Sequence, residues 1–321
     1  MSKSKWFQWN SADGFLLLTA LLWGINIPVV KQATLHVDAM GFNAMRMILS
    51  TVTLGVCWWI EATYQKRRLG AKTSPSTPSP TDSPRASLGI SLIPRILLFS
   101  LFSGLLYPLA FMVGIHQTTA GNTALILASM PMWTALLSKF VLAERLNRLT
   151  WLGLGITFVG TIFIIQAKGE IDLSPKLLAG NLFILAGAII WASATVTSAP
   201  LLKQISPLKL AFISAALTTP LHVGFNWSTI TSPSFEWQDP TVLACIIYSG
   251  ILSTGLAYAT WNIGVRKLGG SHAAVYQNVV TLVAVVASWV WLQEPVLAMQ
   301  LLGGMIAIGG LFLIRKGRAH R

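Results

Sequence analysis

Residues 138–160 read SKFVLAERLNRLTWLGLGITFVG, and residues 288–310 read SWVWLQEPVLAMQLLGGMIAIGG. In each, an apolar run closes on a glutamate, Glu144 or Glu294, and turns a short corner. A second apolar run follows through Gly153 or Gly303, with glycine again at Gly160 or Gly310. Working outward at the same offset of 150 residues, Ser138 falls on Ser288, Leu142 on Leu292, Ala124 on Ala274 and Gly114 on Gly264. The register holds without a gap from Gly104–Ile164 onto Thr254–Ile314. Matches of the same residue types in one register are the mark of an internal duplication, which decides a fold before any local pattern does.

The duplicated unit is written for lipid. Of 321 residues 54% are hydrophobic and 10% charged, whereas a soluble domain carries about 25% charged residues to face water. Apolar segments of roughly 20 residues, long enough for a bilayer core of about 30 Å, occur near 14–34, 39–60, 96–116, 122–142, 150–167, 177–198, 208–227, 241–265, 271–291 and 296–314. The first follows Lys3 and Lys5 as a leader would, but it holds Asn26 and Lys31 and lacks a small-residue cleavage site, so it is expected to remain as a helix. Cys57 and Cys245 both sit inside apolar runs and form neither a disulfide framework nor a metal spacing.

The net charge of +13 is a topology signal. With the N-terminus inside, 19 of the 23 Lys and Arg fall in inner segments, including Lys66, Arg67, Arg68, Arg266, Lys267 and the basic tail at 315–321. Only Lys168 and Lys176 fall outside, while Lys31 and Arg46 lie within helices. Such a bias orients membrane proteins with the basic loops cytoplasmic. No basic helix interleaved with aromatics is present, so nucleic acid is not an expected partner.

The chain therefore divides into a cytoplasmic N-terminus (1–13), a five-helix repeat (14–167), a second five-helix repeat (177–314) and the tail. Within the first repeat a loop near 61–94 carries a Pro/Ser/Thr-rich run at 73–87, a composition that buries little and reads as linker. Five is odd, so the second copy enters the membrane upside down. The expected fold class is an all-α integral membrane protein of ten transmembrane helices in two inverted repeats, the signature of alternating-access carriers.

Several stretches resemble the drug/metabolite transporter superfamily in its ten-helix EamA-like branch. They are LLWGINIPVVKQA at 21–33, Arg46 early in helix 2, residues 124–160 with Pro131, Glu144-Arg145 and Gly153, GNLFILAGAIIWASATV at 180–196, and LQEPVLAMQLLGGMIAIGG at 292–310. The sequence departs from that pattern at Thr281, where a proline matching Pro131 is usual, and at Pro295. The resemblance implies export of amino acids, related metabolites or drugs, and no enzymatic activity or cofactor. Localisation in a bacterial plasma membrane, multi-pass with both termini cytoplasmic, is the matching expectation.

Polar and aromatic residues deep in helices form the candidate substrate site, because a lone amide in hydrocarbon is costly unless paired or facing a cavity. They are Trp23 and Asn26 in helix 1, Tyr107, Asn122 and Trp133 in helices 3 and 4, Trp191 and Thr195 in helix 6, Tyr258, Trp261 and Asn262 in helix 8, and Tyr276 and Asn278 in helix 9. Gln277 and Ser198 accompany them. Trp58, Trp59, Trp289 and Trp291 read instead as interfacial belts. The glycine stripes of helices 5 and 10 suit a central or homodimeric helix pair. Glu144 and Glu294 read as helix-end anchors, Lys31 as a side chain reaching the interface, and Arg46 as an anchor to carbonyls or a functional charge.

All ten acidic residues fall in loops or at helix ends, so no carboxylate proton relay is expected. His222 is the one candidate for proton coupling, against an ordinary role as a packed hydrogen-bonder. Two other classes stay open from the residues: an intramembrane enzyme, which the lack of a metal-cluster or catalytic-triad pattern speaks against, and a channel, which the internal duplication speaks against.

Overall fold

The structure is a computed structural model that describes residues 11–70, 92–141, 146–166, 175–268 and 276–319. Glu144, Arg145, Lys168, His272, the 73–87 run, the first ten residues and the side chain of Asn278 lie outside what it describes. Among the described residues the chain is helical with no strand. The helices are α1 (Ser11–Ala33), α2 (Ala39–Gly70), α3 (Ile93–Gln117), α4 (Ala120–Val141), α5 (Arg148–Gln166), α6 (Pro175–Leu201), α7 (Pro207–Phe225), α8 (Pro240–Lys267), α9 (Tyr276–Leu292) and α10 (Ala298–Ala319). Seven of them, α1–α4 and α6–α8, are long and apolar enough to cross a bilayer, while the apolar stretches of α5, α9 and α10 are shorter. This is a multi-pass integral membrane protein.

Local chemistry sets the helix ends. Asp38 Oδ1 accepts from Gly41 N at 2.8 Å to open α2, and Ser206 Oγ accepts from Lys209 N at 3.2 Å to open α7. Asp239 Oδ1 accepts from Thr241 N at 2.8 Å and Val242 N at 3.1 Å to open α8; these amides, Val242 first, hold its carboxyl below its ordinary pKa. Each cap satisfies backbone donors that the first helical turn leaves unpaired. α2 runs ten residues past its expected end at 60, because EATYQKRRLG is polar yet rich in helix formers.

Two helices carry a wide, π-helical stretch: Leu101–Leu106 within α3 and Tyr248–Ala257 within α8. The register of 150 residues that links the two copies lays the first inside the second. Pro131 follows a break at Ala128–Ser129 in α4, where Ser129 Oγ donates to the Ile126 carbonyl at 2.7 Å. α9 is unbroken over its described length, with Thr281 Oγ1 bonded to Gln277 O at 3.2 Å. Thr281 in place of proline therefore leaves that helix without the interruption that Pro131 makes in α4.

The most extensive pairings join α5 to α10, α3 to α6, α1 to α8, α1 to α9 and α4 to α6. α5 and α10 cross on their glycines. A Cβ added to Gly310 would collide with Thr157 Oγ1 and stand 2.7 Å from Gly153 O, and one on Gly160 would stand 2.7 Å from Gly303 O. Only a missing side chain lets the two backbones approach so closely. The stripe is therefore spent on a pairing inside the chain.

Candidate functional site

Every labelled helix except α5 and α10 contributes to one central cavity of about 120 Å³. That is roughly ten times the space one ordered water needs by the same measure. One wall is aromatic. Trp191 stands edge-on to Trp23 at 5.7 Å between ring centroids, with Tyr107 at 4.8 Å and Tyr258 at 5.9 Å from it. Trp23 is fixed by its indole N–H, which donates at 3.1 Å to the Ser253 carbonyl. Ser253 lies in the π-helical stretch of α8, where the regular ladder is disturbed and carbonyls turn to outside partners.

A polar part of the lining holds Arg46, which is 4% exposed. Its Nε donates to Asn43 Oδ1 at 3.0 Å, and its Nη1 reaches the Ser249 and Thr254 hydroxyls only at 3.4 and 3.5 Å. The guanidinium also lies 5.9 Å from the Phe111 ring centroid. Asn43 Nδ2 in turn meets His222 Nδ1 at 3.1 Å, and His222 Nε2 meets the Gly104 carbonyl at 2.8 Å. An amide facing one ring nitrogen and a carbonyl facing the other assign a neutral imidazole with its hydrogen on Nε2. His222 is thus fully packed between two partners. Gly104 belongs to the π-helical stretch of α3, so both such stretches offer a carbonyl to another helix.

Five of the twelve candidates line this cavity: Trp23, Asn26, Tyr107, Trp191 and Tyr258. Trp261 backs the wall, its ring 5.1 Å from Trp23. Asn262 donates to its own helix at Tyr258 O (2.7 Å), and Thr195 to Trp191 O (3.0 Å). Trp133 packs with Leu154 and Ile314 and donates to Ser129 Oγ at 3.2 Å. Tyr276 donates to the buried Asp13 at 2.8 Å, which puts that acid inside the fold rather than in an exposed terminus. Asn122 belongs to a separate buried network. Its Oδ1 accepts from Gln300 Nε2 at 2.5 Å, and its Nδ2 and Thr118 Oγ1 both point to Asn181 Oδ1. Helical depth told which residues are buried but not toward what they turn.

Lys31 does not reach for water. Its Nζ donates to the carbonyls of Ile115, His116 and Thr118 at 3.0, 3.3 and 2.6 Å, at the C-terminus of α3. Across the same corner, Glu294 accepts from Ala120 N at 3.0 Å and Gly121 N at 2.9 Å at the N-terminus of α4. A cation on a helix C-terminus and an anion on an N-terminus each match the helix dipole. Gln293, at φ 55°, ends α9 and turns the chain so that Glu294 can do this. Arg46 likewise binds side-chain oxygens rather than the carbonyls expected.

Gln277, which accompanied the candidates, lines the cavity, whereas sequence reading left out Ser50, Ser103, Ser214, Thr218 and Thr254. Part of that signal exists in the chain. A second offset, of 168 residues, lays Trp23 on Trp191, Asp38 on Ser206, Arg46 on Ser214 and Ser50 on Thr218. The long loop near 61–94 has no counterpart in the second copy, so one offset cannot align both ends of the repeat.

A family model described as the EamA-like transporter family matches residues 10–166 and again 178–316. Among curated relatives, the "Uncharacterized transporter YoaV" of Bacillus subtilis (strain 168) is 22% identical over 93% of this chain and 94% of its own. The "Probable terminal-alkyne amino-acid exporter" of Streptantibioticus cattleyicolor is 22% identical over 94% and 92%. The "Probable amino-acid metabolite efflux pump" of Salmonella typhimurium is 23% identical over 94% of each. A solved crystal structure 20% identical in sequence superposes with a TM-score of 0.61, covering 97% of this chain and 99% of that one, and shares its fold.

Proposed function

Because the chain belongs to the EamA-like transporter family, a family of membrane transporters and not enzymes, we propose that it exports small metabolites by alternating access at the central cavity. The proposed architecture is ten spans in two inverted five-helix repeats, with α1–α5 matched by α6–α10. The observation that carries this reading is that repeat mates touch one another. Trp23 meets Trp191, and Thr51 Oγ1 lies 2.7 Å from Thr219 Oγ1 at the offset of 168 residues. Gly153 packs on Gly310 while Gly160 packs on Gly303, each pair exchanging under the offset of 150. Gly114 abuts Ile184 and Gly264 abuts Leu16, again one contact seen twice. Reciprocal contacts of this kind are what a two-fold relation demands.

Alternating access follows physically. If the two halves exchange conformations, a cavity lined by both opens first to one side and then to the other. The names of two relatives favour amino acids or related metabolites as cargo and export as direction. We assign Trp23, Asn26, Tyr107, Trp191 and Tyr258 to substrate contact, with Asn278 a further candidate. Trp133, Thr195, Trp261, Asn262, Tyr276 and Asn122 support the frame. Transport would run down the cargo's gradient or in exchange, since His222 already spends both ring nitrogens. The basic bias favours cytoplasmic termini, and the bacterial relatives favour a bacterial plasma membrane. Gly153, Gly160, Gly303 and Gly310 serve the α5–α10 pairing, while Gly155 and Gly309 on the same helices meet nothing within 4 Å.

Reconstituted protein should give saturable, trans-stimulated counterflow of an amino acid or metabolite; flux that rises linearly and ignores cargo on the far side would establish a channel instead. A reporter fused after Arg85 should be cytoplasmic and one near Pro233 external. Finding both on one face would remove the ten-span topology and the inverted repeat with it.

A further inference from the structure

Arg46 is a buried cation left short of partners. Burying a guanidinium away from water is costly unless an anion or a full set of acceptors repays it. Here one of its donors makes a good hydrogen bond, to Asn43, and two contacts lie at the 3.4–3.5 Å limit. No hydrogen bond from Nη2 is formed among the described residues, and no recorded partner of Arg46 is a carboxylate. The described acids are engaged or placed elsewhere: Asp13 with Tyr276, Asp38 and Asp239 on helix caps, Glu61 with Ser206, Glu294 on α4, and Glu236 exposed in the loop before α8.

Two more groups on the same cavity are unsatisfied. Asn26, 7% exposed, leaves Oδ1 without a partner, and buried Ser50 leaves Oγ without one. Buried polar atoms are otherwise almost always paired. Three such residues around one cavity, beside an aromatic wall, describe a site awaiting a ligand.

We propose that Arg46 is the specificity residue of the cavity, binding the carboxylate of a monoanionic or zwitterionic cargo whose apolar body lies against Trp23, Trp191 and Tyr258. The transport consequence rests on the carrier reading above; the binding consequence does not. Asn43 holds Nε and the two outer nitrogens make only long contacts or none, and a planar fork matches a carboxylate with two parallel hydrogen bonds. Among the described residues Arg46 is the one cation in the lining. A doubly charged phosphate would leave a net negative charge in a low-dielectric site, and a cationic amine would meet repulsion. Where the cargo also carries an amino group, Asn26 Oδ1 is an acceptor with nothing else to accept.

The test uses full-length purified protein and a matched series: 3-phenylpropanoate, its amide, 3-phenylpropylamine, 3-phenylpropyl phosphate and phenylalanine. Binding is read by the fluorescence of the cavity tryptophans. The two carboxylates should bind about 10- to 100-fold more tightly than the amide, amine and phosphate, the worth of hydrogen bonds to a charged group. Arg46→Met should erase the difference between acid and amide, and Arg46→Lys should keep the preference at lower affinity. Equal binding of acid and amide by the wild type, an acid preference that survives Arg46→Met, or no binding by any carboxylate would each overturn the proposal. If Arg46→Met does not fold, the wild-type ratio and Arg46→Lys decide alone. Counterflow separates the two readings. Arg46-dependent binding without counterflow sinks the carrier reading and keeps this one, whereas equal counterflow of acid and amide sinks this one and keeps the carrier.

Discussion

The two halves of the cavity are alike in frame and unlike in charge. Under the 168-residue offset, Trp23 matches Trp191 and both line the wall, while Ser50 matches Thr218 and both line it too. Under the 150-residue offset, Ser103 matches Ser253, each in a π-helical stretch that faces the cavity. Yet Arg46 faces the cavity where the second copy has Ser214, and Asn26 where it has Ala194; Asn43, which holds Arg46, is matched by Ala211. What repeats is backbone shape and the tryptophan pair Trp23 and Trp191; what does not repeat is the unsatisfied polar chemistry. A two-fold frame lets halves swap conformations, but a single charged ligand group needs one receptor, and a second buried arginine would only add repulsion.

The likeness of frame can be broken most forcefully at the α5–α10 crossing. Gly310→Leu and Gly160→Leu should each cut membrane abundance severely and lower the melting temperature of purified protein by on the order of 5 °C, since the neighbours in the way are largely backbone. Gly309→Leu and Gly155→Leu, with nothing within 4 Å of the added carbon, should be near neutral. Equal damage at all four positions would end the argument that specific mates meet there.

Next comes the shared aromatic wall. At equal membrane abundance, Trp191→Ala and Trp23→Ala should each slow counterflow about tenfold or more, the usual loss when a buried aromatic contact is removed. Trp59→Ala, at a residue 67% exposed, should change it less than twofold. A strong effect from only one of the two cavity tryptophans would show that the halves contribute unequally even in their shell.

A smaller effect is expected at the α3–α4 corner. Glu294→Ala removes the acceptor of two helix N–H groups and should lower thermal stability by about 1–2 kcal/mol, with Glu294→Gln in between. The mildest change is Gln293→Gly. A left-handed backbone there suits glycine, so the melting temperature should rise by the equivalent of about 0.5–1 kcal/mol. A fall instead would mean that the Gln293 side chain, which donates to Val290 O at 2.8 Å, outweighs the backbone strain.

By itself the sequence determined the solvent, the helices and the duplication, because each is written in composition and in residue spacing along one dimension. It also marked which polar residues must be buried, since charge and amides are rare in apolar runs. Direction was not written there. Asn122, Asn262 and Trp191 look equivalent in a helix of unknown rotation, and only the packing sends Trp191 to the cavity, Asn262 to its own backbone and Asn122 to Gln300. Lys31 reads as an interfacial side chain until its partners 84–87 residues away are seen at the end of α3. Arg46 is the plainest case: its depth was legible, but its shortage of partners belongs to the tertiary structure alone. Whether a buried charge is satisfied depends on what other helices bring within 3.5 Å of it, and no local pattern encodes that sum.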